Sequence, residues 1–188
     1  TETMEAYAEL IKAGKVRIVG ASNVGPSRFK ASLEASKRLG LPRYETLQPL
    51  YNLSDRNEFE SGYAALCRQE DISVIPYYGL AAGFLTGKYR APADADRNPA
   101  RGGRLKKYLD ARGTRILKAL DDVAAQHNAT PAQVAVAWLI GRITAPITSA
   151  TSPAQFQEVA KAPQIKLTAD DLAGLDRGPH AGQDGPDD

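Results

Sequence analysis

Apolar positions along the chain recur with two different periods. Over residues 3–13, Met4, Tyr7, Leu10 and Ile11 fall three or four apart, which places them on one face of a helix. Gly14 supplies its stop. Residues 16–22 are nearly continuously apolar instead, as suits a short strand covered on both faces of a parallel sheet. Asn23 to Gly25 predicts a turn, and Pro26 opens a helix to about Leu39 that Gly40 closes. The alternation repeats with a strand at 46–50, a helix at 57–70 presenting Phe59, Tyr63, Leu66 and Cys67, and a strand at 73–77. After a polar stretch at 89–112 come helices at about 114–127 and 131–141, then a fourth strand at 145–150. A helix from Ser152 to about Lys161 and a last one through Leu175 complete the pattern. Thr130 with Gln133, Ser152 with Gln155, and Thr168 with Asp171 each set a hydroxyl three residues before a side chain able to cap the same helix start.

Strand and helix alternating four times argue an α/β fold with a parallel sheet and right-handed crossovers. No linker interrupts residues 1–177, so they read as one domain, and the Gly/Pro/Asp-rich residues 178–188 read as a disordered tail. Four units do not close a barrel, which needs eight. The pattern is compatible with an open four-stranded sheet and with part of a barrel. The stretch at 89–112, with Pro92, Pro99, Gly102 and Gly103, has the length of a functional or mobile loop.

Composition narrows the classes. The 188 residues are 43% hydrophobic and 24% charged, the mix of a soluble globular domain. A net charge of +2 names no partner. Basic residues cluster only over residues 97–115, among glycines, and read as a solvated loop rather than a nucleic-acid surface. No apolar run is long enough to span a membrane, and no secretory signal is visible. The single cysteine, Cys67, excludes an intramolecular disulfide and a cysteine metal site, and fits a reducing, cytoplasmic setting. The chain begins at Thr1, which fits either a piece of a longer protein or ordinary removal of an initiator Met. His127 ends a helix, where a cation suits the dipole, and His180 lies in the tail, so no metal site is expected. Asp121 with Asp122, and Asp170 with Asp171, are adjacent on helices, cannot face each other, and read as solvated helix surface.

Four segments in order carry a resemblance: AGKVRIVGASN at 13–23, LQPLYNLSDR at 47–56, VIPYYGLAAGFLTGKY at 74–89 and PITSATSPAQFQEV at 146–159. Their order and spacing are similar to the second half of the aldo-keto reductases, over about residues 3–176. The resemblance implies a TIM (β/α)8 barrel of which this chain supplies the last four βα units, a half-barrel. It implies a nicotinamide cofactor, NADPH by preference with NAD open, lying across the C-terminal rim. Barrel active sites do sit at that rim, with phosphates often held near the last two strands.

Carried over position by position, Ser22, Asn23 and Gln48 hold the nicotinamide carboxamide, an amide that needs both donors and acceptors. Tyr77 takes the place of the aromatic that stacks on the ring. Gly79, Leu80, Ala82 and Gly83 let backbone N–H groups approach the pyrophosphate. Thr151, Ser152, Gln155 and Glu158 grip the adenosine end. Each has a plainer competitor: a turn residue for Ser22 and Asn23, a buried hydrogen-bonded amide for Gln48, core packing for Tyr77, a tight turn for the glycines, a helix cap for Gln155. Departures are present too. Tyr78 stands where many relatives have a small polar residue, Val159 follows Glu158 where many have Asn, and no Arg stands at or near Gln155 for a 2′-phosphate. The family's catalytic Asp, Tyr, Lys and His come from the first half of the barrel, so no catalytic residue is assigned in this chain. The expectation is a partial oxidoreductase that reduces small aldehydes or ketones once completed by an N-terminal half. Two alternatives stand beside it: a non-catalytic module binding a cofactor or a partner, and a half-barrel that pairs with itself as a homodimer.

Overall fold

The computed structural model describes residues 1–97 and 102–178. Helix α1 (Glu2–Lys12) leads to strand β1 (Val19–Ser22), helix α2 (Pro26–Leu39) and strand β2 (Tyr44–Gln48). Short helices α3 (Asn57–Gly62) and α4 (Ala64–Gln69) precede strand β3 (Ser73–Val74). The three strands lie side by side in sequence order, all parallel, with Ser22 opposite Gln48 and Leu47 opposite both Ala21 and Val74. A further bridge joins Leu50 to Tyr77. Gly20 is required where β1 shifts register, because a Cβ there would stand 2.1 Å from Thr46 Oγ1. The outer edge of β1 has no strand partner among the described residues, and Ile18 beside it is 58% exposed.

Beyond the sheet come α5 (Gly102–Leu105), α6 (Ala111–Gln126), α7 (Pro131–Ile140), α8 (Pro153–Val159) and α9 (Ala169–Arg177). Residues 132–139 of α7 are all buried, as expected of a helix apolar on every side. The predicted capping box of Thr130 and Gln133 is formed in full at its start. The core joins the sheet to these helices through Phe29, Leu47, Tyr51, Leu53, Phe84, Leu120, Trp138 and Leu175. Cys67 belongs to it: burial pushes its thiol up to about 11, and it packs as a small apolar group. Asp176 of α9 accepts from Trp138 Nε1 (3.0 Å), Arg56 (2.8 Å) and Arg142 (2.6 Å), whose guanidinium groups lie over the indole ring. That cluster ties the last helix to the body. No helix among the described residues is long and apolar enough to cross a membrane.

Several expectations are corrected. Residues 145–150 run beside β3 but form no regular strand. Thr144 and Ala145 donate to Val74 O, and Ile147 donates to Pro76 O, yet Pro76 and Pro146 have no N–H to return. Among the described residues the sheet therefore has three strands where four were expected. The helix expected at 57–70 breaks at Tyr63, whose φ of −122° leaves the helical range while its hydroxyl donates to Val24 O. Residues 98–101 of the expected loop lie outside the described residues, and the rest of 89–112 is no plain loop. It holds 3₁₀ turns at Pro92–Arg97 and Lys106–Tyr108 around α5, and buries Ala95, Leu105 and Tyr108. Asp171 is 5% exposed rather than solvated: it closes the capping box with Thr168 and meets His127 Nε2 at 2.8 Å. Asp121, by contrast, stays on the solvated surface at 40% side-chain exposure, where it accepts from both Nη groups of Arg90. The expected tail at 178–188 lies outside the described residues, except for Gly178, which caps α9.

Candidate functional site

A cavity of about 870 Å³ opens at the C-terminal ends of the strands. Parallel strands place their last side chains on one rim, and Ser22 ends β1 as Gln48 ends β2. Tyr77 and Tyr78 follow β3, and the segment after them forms one wall. Gln155 and Glu158 of α8 form the opposite wall.

At the strand end, polar groups are arranged by one another. Ser22 Oγ donates to Gln48 O (3.0 Å), Asn23 Nδ2 donates to Ser22 Oγ (3.1 Å), and the Tyr77 hydroxyl donates to Asn23 Oδ1 (3.5 Å). Asn23 has φ +56°, a left-handed conformation that Asn tolerates. The Gln48 side chain is exposed to the cavity and its amide has no partner among the described residues. It is therefore not a buried, satisfied amide, and it offers both a donor and an acceptor.

The wall after β3 departs from regular structure. Tyr78, Ala81, Ala82 and Gly83 all have positive φ, an arrangement that costs about 1 kcal/mol or more at each non-glycine position. The N–H groups of Gly79, Leu80 and Ala82 find no acceptor among the described residues. Backbone N–H groups lining a concave wall favour an anion. Gly79 also has a packing reason, since a Cβ there would lie 3.0 Å from Leu139 Cδ1 and 3.2 Å from Ile147 O. Asn52, fully buried, holds the wall in place by donating to Tyr78 O (3.0 Å), while its own carbonyl caps the N–H groups of Ser54 and Asp55.

Among the described residues, the cations Lys88 and Arg104 line the same cavity. Neither pairs with a carboxylate among the described residues. Arg104 donates to the Tyr78 hydroxyl and lies over its ring, and Lys88 lies over Tyr89. Asp55 ties the turn that follows Arg104 to the wall, accepting from Tyr108, from Asn52 (3.0 Å) and from Lys107 (3.0 Å). Burial pushes the Asp55 carboxyl up, but the hydrogen bonds of Tyr108, Asn52 and Lys107 outweigh it and hold the group below the usual carboxylate range. Burial and the same bond push the Tyr108 hydroxyl up.

Ten of the residues singled out from sequence thus share one cavity: Ser22, Asn23, Gln48, Tyr77, Gly79, Leu80, Ala82, Gly83, Gln155 and Glu158. Thr151 and Ser152 do not line it. Ser152 Oγ accepts from Gln155 N, and Thr151 donates to Gln155 Oε1 from both N–H (2.9 Å) and hydroxyl (3.0 Å). They are cap residues, and α8 has seven residues, too few for a strong terminal dipole. Of the two tyrosines, Tyr77 reaches Asn23 while Tyr78 stands edge-on to it at 5.4 Å beneath Arg104. The sequence pattern does not single out Lys88 or Arg104: Arg104 lies within the basic run of residues 97–115, and the one signal for Lys88 is its place directly after the Gly87 turn of the third motif.

The model of the aldo/keto reductase family matches residues 1–177. The chain is 30% identical over 171 residues to an aldo-keto reductase of Fusarium vanettenii, covering 90% of this chain and 46% of that protein. It is 31% identical to the protein tas of Escherichia coli, covering 93% and 51%, and 29% identical to L-glyceraldehyde 3-phosphate reductase of the same organism, covering 94% and 53%. The chain spans about half the length of the curated relatives it matches.

Proposed function

Because the chain belongs to the aldo/keto reductase family, we propose that its cavity is the nicotinamide-dinucleotide site of an oxidoreductase acting on aldehydes or ketones. In this proposal residues 1–177 are the last four βα units of a (β/α)8 barrel, with the fourth strand reduced to the 144–147 edge. The observation that carries it is the cavity itself. It joins an unsatisfied amide at Gln48, three unpaired backbone N–H groups, and the cations Lys88 and Arg104 without a carboxylate partner among the described residues.

These groups fit the chemistry of a dinucleotide. Asn23 and Gln48 would hold the carboxamide, and Tyr77 would stack on the ring. The N–H groups of Gly79, Leu80 and Ala82, with Lys88 and Arg104, would take the pyrophosphate. Glu158, by accepting from a hydroxyl or amine, would meet the adenosine end. The bound cofactor supplies a hydride, and what this chain supplies is orientation: a fixed Asn23 amide, a rigid wall and a positive rim. The proton donor and its Lys, Asp and His partners belong, in the proposal, to the other half of the barrel. NADPH is the proposed cofactor, although no Arg accompanies Gln155 and NADH remains the comparison to make. A cytoplasmic location is part of the same proposal.

The test is a titration of the full-length protein with NADPH and NADH, followed by cofactor fluorescence and Trp138 emission. Saturable binding is expected, weakened about tenfold by Gln48→Ala and by Lys88→Met, with cofactor oxidation when a panel of aldehydes and ketones is added. A folded protein that binds neither cofactor would overturn the reading. The free edge of β1, with Ile18 exposed, favours one second reading, in which two copies of this chain pair along that edge. Light scattering that returns a monomer removes it.

A further inference from the structure

Helix α8 carries one wall of the cavity, yet it buries none of its residues. Phe156 points out of the body at 66% exposure, and residues 148–157 are exposed throughout. Apolar packing reaches only the end of α8, at the half-buried Val159 and the buried Ala162 beyond it, and does not set the exposed turn that carries Gln155. What fixes Glu158 is polar and local. The Thr130 hydroxyl donates to Glu158 Oε1 at 2.7 Å, and Gln133 Nε2 donates to Glu158 O at 2.8 Å. The same two side chains form the capping box of α7: Thr130 Oγ1 accepts from Gln133 N (3.3 Å) and Gln133 Oε1 accepts from Thr130 N (3.0 Å). Each cap residue thus uses one polar atom on its own helix and a second, or the same hydroxyl's proton, on Glu158. Helix α7 is the rigid element here, buried along residues 132–139.

We propose that Thr130 and Gln133 are positioning residues for the ligand end held by α8. They tie to α7 a helix that buries none of its own residues and is packed only at its end, through the half-buried Val159 and the buried Ala162 that follows, and they orient the Glu158 carboxylate. Donation from Thr130 occupies Oε1 and leaves Oε2 without a partner among the described residues, an acceptor for a hydroxyl or amine donor on the ligand. Loss of the Thr130 hydroxyl frees the carboxylate to rotate, while the Gln133 bond to Glu158 O still tethers α8. This inference rests on the reading of the cavity as a dinucleotide site, and assigns to α8 the adenosine half.

The experiment uses the full-length protein and three probes: NADP⁺, adenosine 2′,5′-bisphosphate for the α8 end, and nicotinamide mononucleotide for the strand end. Thr130→Val is expected to weaken the bisphosphate and NADP⁺ about tenfold, while leaving the mononucleotide within twofold. Thr130→Ser, which keeps the hydroxyl, restores wild-type affinity, and Gln133→Met gives a smaller loss of the same selectivity. A merely structural cap would lower the melting temperature and weaken all three probes alike, or none, and either outcome overturns the proposal. If Thr130→Val does not fold, the Gln133→Met and Thr130→Ser pair decides by the same selectivity. Wild-type protein that binds no probe overturns the dinucleotide reading itself. Wild-type protein that binds all three, with variants that match it, overturns only the positioning role.

Discussion

The Asp55 node offers the sharpest energetic test of how the cavity rim is held. Tyr108 is 6% exposed and its ring stacks on Phe84 at 5.2 Å, so Tyr108→Phe removes the hydroxyl and leaves the packing. The Asp55 side chain is 21% exposed, so its bond from Tyr108 is a charge-assisted one in a partly desolvated setting, worth about 1.5–3 kcal/mol. Lys107 is 54% exposed and adds under about 1 kcal/mol. Tyr108→Phe should therefore cost about 1–2 kcal/mol and Asp55→Ala about 2–4 kcal/mol, the latter because Asn52 and Tyr108 both lose an acceptor. A double-mutant cycle in urea at pH 7 should give a coupling near 2 kcal/mol. Because the folded-state carboxyl lies below its ordinary value, the contribution is complete above about pH 4 and is lost as pH falls through the lowered value. The coupling should accordingly shrink on acidification. A coupling under about 0.5 kcal/mol at pH 7, or one that grows in acid, would refute the reasoning.

Other expectations follow from the same geometry. Gly113→Ala places a Cβ 1.7 Å from Tyr108 O and 3.1 Å from Phe84 Cζ, so a loss of about 2–3 kcal/mol in chemical denaturation is expected and wild-type stability would contradict it. Burial opposes ionisation of Asp171, but the bonds from Thr168 and His127 outweigh it and lower its pKa. Asp171→Asn should thus destabilise at pH 7 and cost progressively less below about pH 4, as read by melting temperature across pH. Asp176→Asn leaves Arg56, 12% exposed, and Arg142 with less of their compensating charge, and should cost about 2 kcal/mol by urea denaturation. Arg56 Nε also donates to Glu60 Oε1 at 2.8 Å, and an unchanged midpoint would mean that this bond alone suffices for it.

Period and punctuation in the sequence located most elements. Gly40 adopts the left-handed cap expected of it, and the Thr130 and Thr168 boxes form as their spacing requires. What eluded the pattern has identifiable physical causes. Hydrophobicity at 145–150 is strand-like, but ladder formation depends on N–H groups that Pro76 and Pro146 lack. The apolar face at 57–70 is continuous, yet Gly62 packs so close to Pro26 that a Cβ would lie 2.8 Å from its ring, and the helix turns aside at the next residue. Leu105 and Tyr108 were hidden within a charged run, because two buried residues three apart are too few to set a period. The cavity residues were found through motifs at strand ends, whereas Arg104 arrives from a distant segment by tertiary packing alone. Asp171 shows the reverse limit: adjacency along a helix excludes contact with Asp170 but says nothing of a histidine on another helix.

The left-handed run through Ala81, Ala82 and Gly83 has an evolutionary corollary. A wall whose backbone is held against its own preference, by buried neighbours such as Phe84 and Leu85, sits on a trade between robustness and fit. Ala82→Gly would relieve the torsional conflict and be tolerated or even favoured in a screen for thermal endurance. The same exchange would broaden the set of directions in which the N–H groups of that wall can point. Drift toward glycine here would thus trade ligand discrimination for hardiness, and lineages under pressure to keep a tight site should resist it.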